Sequence, residues 1–187
     1  MSLSTTLYRF RIDLSDVDRG VYEALDFRLA KHPSESIVYL FTRALAYALN
    51  VQEGLEFSPQ GLADPDSPAL MIKSHNGGLS LCIEIGNPSA RRLHKASKTA
   101  DKLKVYTYKD PQVLLLEARS EKIHRAGEIE IFSFHHKFLE KITHNLPKEI
   151  KMTMIHNEKS LSLSFGSKEG DKQGDRHEET EIGHHKI

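Results

Sequence analysis

Residues 79–85 are apolar at every position except Ser80 and Glu84, and they lie between two chain reversals, Asn76-Gly77-Gly78 and Gly86-Asn87-Pro88-Ser89. Such turn residues end regular structure sharply. A short run that is apolar on both faces predicts a strand in the interior of a sheet. Side chains alternate along a strand, so Ser80, Cys82 and Glu84 share one face while Leu79, Leu81, Ile83 and Ile85 share the other. A carboxylate between Ile83 and Ile85 is costly to bury alone. A metal, a base or a proton must compensate it.

The surrounding chain predicts a mixed α/β domain around this strand. Tyr8, Phe10, Ile12 and Leu14 alternate with Arg9, Arg11 and Asp13, and Leu25, Phe27 and Leu29 alternate with Asp26 and Arg28, which makes an N-terminal β-hairpin. His32-Pro33-Ser34-Glu35 opens a helix over 34–50, with Ser34 as its cap and an apolar stripe from Ile37 to Leu49. Short strands are expected at 55–57 and 69–73. A second helix is expected over 89–102, with Leu93, Ala96, Ala100 and Leu103 inward. Beyond it come a strand at 104–108, a helix at 111–120, a strand at 128–134 and a helix at 136–145. A C-terminal β-hairpin, 150–156 with 160–165, turns at Asn157-Glu158.

Charge narrows the function classes. The 187 residues carry 26 Lys plus Arg and 26 Asp plus Glu, a formal net charge of zero. A uniformly basic nucleic-acid coat protein is excluded, so any polyanion site must be local. Residues 167–187 are polar, net −2, and read as a disordered tail behind a single domain over 1–166. Residues 91–109 hold seven bases and one acid, net +6, the densest basic run in the chain. Cys82 is the only cysteine, and no apolar stretch suits a signal peptide or a membrane span, so the expected setting is cytoplasmic with no membrane partner.

One constellation can carry chemistry. Asp64-Pro65-Asp66 precedes a strand, a glycine turn and the strand bearing Glu84, with 18 residues from Asp66 to Glu84. Two strands joined by a tight turn can bring both carboxylates to one sheet end, a common way to hold Mg²⁺ against a phosphodiester. Glu35 is a third acid that could approach. Arg91, Lys95, Lys98 and Lys102 line one face of the second helix, and Arg91, Arg92, Lys95 and Lys98 form the expected phosphate-binding set. Each feature has a plainer counterpart. Asp64-Pro65-Asp66 suits an ordinary turn, Glu84 can pair with Arg91 or Arg92, and a lysine stripe suits a solvated helix face. The 11 histidines show no HExxH spacing, and no phosphate-binding glycine loop or nucleophile-elbow motif occurs.

The order of motifs resembles the YaeQ family of bacterial proteins. The likeness rests on the N-terminal hairpin, HPSE at 32–35, GLADPDSPAL at 61–70 and IEIGNPSARRLHKAS at 83–97, and it extends to about residue 165. It implies a variant of the PD-(D/E)xK, or restriction-endonuclease-like, fold: a mixed sheet flanked by helices. By position, Asp66 and Glu84 would be the two motif acids and metal ligands, and Glu35 the acid contributed by the first helix. The customary lysine two residues after the second acid is here Gly86. Its charge would come from Lys95, Arg91 or Arg92. The family often has an acid where this chain has Ser80. Two functions follow as expectations. The first is a non-catalytic nucleic-acid or protein-binding module on a nuclease scaffold. The alternative is a Mg²⁺-dependent nuclease or phosphodiesterase in which Asp66 and Glu84 hold the metal and Lys95 or Arg91 stabilises the phosphate.

Overall fold

A computed structural model describes residues 5–59, 67–166 and 176–187. The chain divides into two compact units. Each has its own mixed sheet. No helix among the described residues is long and apolar enough to cross a membrane.

The first unit comprises Met1–Leu49 and His135–Ile182. Strands β1 (Thr6–Asp16) and β2 (Val21–Lys31) form the expected antiparallel hairpin. Helix α1 (Ile37–Ala48) buries Leu40, Phe41, Ala44 and Leu45. The Phe41 ring lies 6.0 Å from that of Phe10 on β1. The helix begins three residues later than 34, because Ser36 is the cap: its hydroxyl accepts the Tyr39 N–H at 3.1 Å. His32-Pro33-Ser34-Glu35 is instead a turn, closed by the Glu35 N–H on the His32 carbonyl.

Helix α4 of this unit (His136–Thr143) precedes β8 (Glu149–Asn157) and β9 (Ser160–Phe165). Strand β8 returns to pair in parallel with β1, joining the two hairpins in one sheet. That pairing spans most of the chain, and local sequence pattern does not encode it.

The second unit comprises Asn50–Phe134 and Gly183–Ile187. Strands β3 (Glu56–Phe57), β4 (Leu70–Lys73), β5 (Leu79–Ile85), β6 (Ala100–Thr107) and β7 (Glu130–Ser133) lie side by side in chain order. Strand β5 is interior, as its apolar run predicts, with β4 antiparallel on one side and β6 parallel on the other. Helices α2 (Ala90–Thr99) and α3 (Pro111–Ser120) make the crossovers to β6 and β7. They pack on the sheet face that carries Cys82, Leu103, Val105 and Ile131.

Two expectations change here. Helix α2 stops at Thr99, and β6 starts at once at Ala100. Lys102 therefore lies on a strand. It alternates with Leu103 and Val105 and falls on the face away from α2, so the four-lysine-arginine stripe loses its last member. The second change concerns the tail. Strand β10 (Arg176–Glu181) pairs with β9 in the first sheet, and β11 (Gly183–Lys186) pairs with β7 in the second.

These tail strands are polar but well tied. Lys141 Nζ reaches Glu178 at 2.8 Å, Ser160 donates to Glu179, and the His184 ring stacks on Phe132 with centroids 4.7 Å apart. Edge strands need few apolar side chains, because ladder hydrogen bonds and cross-strand polar pairs hold them. The tail residues 167–175 lie outside the described residues.

Candidate functional site

The site is built on β5, its exit turn and the first turns of α2. Strand β5 fixes Glu84 opposite Val105 of β6 and buries its carboxylate. The chain leaves the strand at Gly86, which adopts φ +82° and donates its N–H to the Tyr106 carbonyl at 2.9 Å. That backbone conformation disfavours any residue with a side chain, which accounts physically for a glycine at this position. Ser89 then caps α2 by accepting the Arg92 N–H. With Ala90, Leu93 and Ala96 held inward, Arg91, Lys95 and Lys98 are exposed.

Arg92 closes the arrangement. Its Nε lies 2.9 Å from Glu84 Oε2, and its Nη2 donates to the Ser67 carbonyl at 2.7 Å. The Glu84 side chain is 7% exposed and that of Arg92 31%. Burial pushes the Glu84 carboxyl above the ordinary carboxylate range, and Arg92 partly opposes the rise. A cavity of about 370 Å³ opens beside the pair and is lined by Cys82, Glu84, Ser89, Arg91, Arg92 and Lys95 among others. Burial, and then the Glu84 carboxylate, push the Cys82 thiol up, so it presents no thiolate.

The +6 stretch is thus divided by the fold. Arg91, Arg92 and Lys95 line the cavity, while Lys98 is exposed further along α2. Lys104 turns to the opposite sheet face, where its Nζ donates to Asn50 Oδ1 at 2.9 Å. The Asn50 amide also donates to the Tyr106 hydroxyl at 2.8 Å.

Asp66 lies outside the described residues. Glu35 belongs to the first unit, where Arg43 Nη2 approaches its Oε1 at 2.9 Å and its Oε2 accepts the His32 N–H at 3.0 Å. Burial raises the Glu35 carboxyl, with Arg43 opposing. Arg43 was not anticipated: eight positions along a helix would separate the two by about 12 Å, but Glu35 lies in the turn before α1. Ser80 donates to the Ile72 carbonyl at 3.3 Å.

Of the two expected metal ligands, only Glu84 is among the described residues. No group of three or more His, Cys, Asp or Glu converges among them, and Glu84 is already held by a guanidinium.

The fold and site define a mixed α/β protein with a basic cavity beside a buried carboxylate. The family model described as YaeQ protein matches residues 1–172, and the chain belongs to the YaeQ family. It is 33% identical over 108 residues to the uncharacterised YaeQ protein of Escherichia coli (strain K12). That match covers 58% of this chain and 59% of the relative's length. The corresponding protein of Salmonella typhi is 32% identical over the same length. Among solved structures, the YaeQ protein from Pseudomonas syringae superposes with a TM-score of 0.80 at 28% identity, covering 96% of this chain and 95% of that one. The YaeQ protein from Xanthomonas axonopodis pv. citri has the same TM-score at 23% identity over 96% and 98% of the two chains, a likeness of fold.

Proposed function

We propose that this protein binds the phosphate backbone of nucleic acid at the α2 cavity without cleaving it, on a restriction-endonuclease-like scaffold. The observation that carries the reading is the state of Glu84. The carboxylate lining the cavity is ion-paired to Arg92. What the cavity offers a ligand is therefore mainly cationic: Arg91 and Lys95 at its wall and Lys98 beyond. Arginine and lysine at one helix face neutralise successive phosphates and release their counterions, which gives affinity without sequence reading.

A Mg²⁺-dependent phosphodiesterase on Asp66 and Glu84 is the second reading, and the burial of Glu84 in an interior strand favours it. It requires Arg92 to leave the carboxylate.

Fluorescence anisotropy with labelled single-stranded and duplex oligonucleotides in EDTA separates the two, followed by a scission assay in Mg²⁺ or Mn²⁺. The binding reading expects affinity in EDTA that falls about tenfold or more in Arg91→Ala/Lys95→Ala, with the single-strand salt slope shallower by about 1.4 for two lost contacts. It also expects no scission. Metal-dependent cleavage that disappears in Glu84→Ala contradicts it and establishes the second reading.

A further inference from the structure

We infer that Glu84 is an internal counterion that competes with an incoming phosphate for Arg92, so that the protein limits its own affinity for polyanions. The inference rests on the reading of the α2 cavity as an anion site and assigns its regulation.

The two partners differ in freedom. Glu84 is fixed on a strand paired on both sides, with β6, where it faces Val105, and with β4, and its side chain is almost wholly buried. Arg92 is about a third exposed and lines the same cavity. Arg91 and Lys95, one helical turn apart, are exposed and line it too. An oxyanion drawn in by Arg91 and Lys95 therefore arrives beside a guanidinium that is already committed.

Guanidinium binds carboxylate and phosphate with the same fork geometry and can exchange one for the other. The exchange strands the Glu84 charge in a buried position, which is unfavourable. Each phosphate bound through Arg92 is thus bound against that penalty. The carboxylate's own negative charge, a few ångströms from the anion, adds to it. A metal ligand at this position would do the opposite, since its loss weakens phosphate binding through the metal.

The test is the affinity of Glu84→Gln and wild type for a short fluorescein-labelled oligothymidylate in EDTA, with thermal melts as a check on folding. Glutamine keeps the shape and an acceptor for Arg92 but removes the charge. The expected result is roughly three- to tenfold tighter binding. Equal or weaker binding by Glu84→Gln, with wild type still dependent on Arg91 and Lys95, overturns this inference and leaves the anion site standing. No binding by either protein overturns both.

A measurement on wild type alone covers the case in which the variant fails to fold. The Arg92 Nε–H resonance should shift on saturation with the oligonucleotide as the guanidinium changes partner. An unmoved resonance at saturation contradicts the exchange.

Discussion

Arg92 Nε lies 2.9 Å from Glu84 Oε2, joining a cation that lines the α2 cavity to a carboxylate buried in the interior strand β5. The pair is asymmetric, and its energetics are governed by the buried member. Removing Arg92 deprives Glu84 of the guanidinium that offsets its burial. Arg92→Ala is expected to lose about 1–3 kcal/mol at pH 7, less than for a fully buried pair because the guanidinium is partly exposed.

The pH dependence of that loss has a definite sign. The folded-state pKa of Glu84 is raised by burial, with Arg92 opposing, so deleting Arg92 raises it further. A carboxyl with a raised folded pKa favours the folded state most when protonated and loses that contribution as pH rises through the folded value. The deficit of Arg92→Ala relative to wild type should therefore be largest at neutral pH and shrink as pH falls toward the ordinary glutamate range. Urea unfolding across that range checks it. A deficit that grows on acidification contradicts the assignment.

Glu35 and Arg43 form the corresponding pair in the first unit, with both side chains nearly inaccessible. Arg43→Met should cost about 3–5 kcal/mol by leaving a buried carboxylate alone. Glu35→Gln/Arg43→Met should cost less than the sum of the single changes, with a coupling of about 1–3 kcal/mol in a double-mutant cycle. Additive losses would mean that the two groups do not compensate each other.

Gly86→Lys places a lysine two residues after Glu84, where the nuclease scaffold proposed above would carry one. The backbone there has φ +82°, so the change should destabilise by about 1–2 kcal/mol, read as a lower melting temperature. It should produce no metal-dependent scission. Cleavage by this variant would show that the missing lysine is the sole obstacle to catalysis.

Ending the chain at Gly166 removes β10 and β11 and leaves β9 and β7 as open edges. It also removes Ile182, which is buried, at a cost of about 1.5–3 kcal/mol. Light scattering should show concentration-dependent association, as unpaired strand edges template one another. A truncated chain as stable and monodisperse as the full one would mean the two strands contribute nothing.

The fold was legible where local pattern decides it. The alternation of Tyr8 to Leu14, the stripe of α1 and the apolar run of β5 each specify their element. Failures arose where a boundary or a partner decides. Helix periodicity continues through Ala100 and Leu103, yet the chain switches to strand at Ala100, because β6 takes its place beside β5 and β7. The residues 176–187 lack the alternating apolar face by which strands are recognised, and edge positions do not require one. At the site, the need of Glu84 for a compensating charge was evident from its flanking isoleucines. Whether a metal, a proton or Arg92 supplied it depended on how α2 lies on the sheet. Burial of Glu35 against Arg43 depended on the Ser36 cap, which moves the helix start beyond the His32–Glu35 turn.

The most direct measurement of the central claim compares two charge reversals within the same basic stretch. Lys95 lines the cavity on α2, and Lys102 is exposed on the opposite sheet face. Lys95→Glu and Lys102→Glu change the net charge equally. By anisotropy at fixed ionic strength, Lys95→Glu is expected to weaken oligonucleotide binding by tenfold or more while Lys102→Glu stays within about twofold of wild type. Equal losses would show that overall charge rather than the α2 cavity attracts the ligand, and would contradict the account.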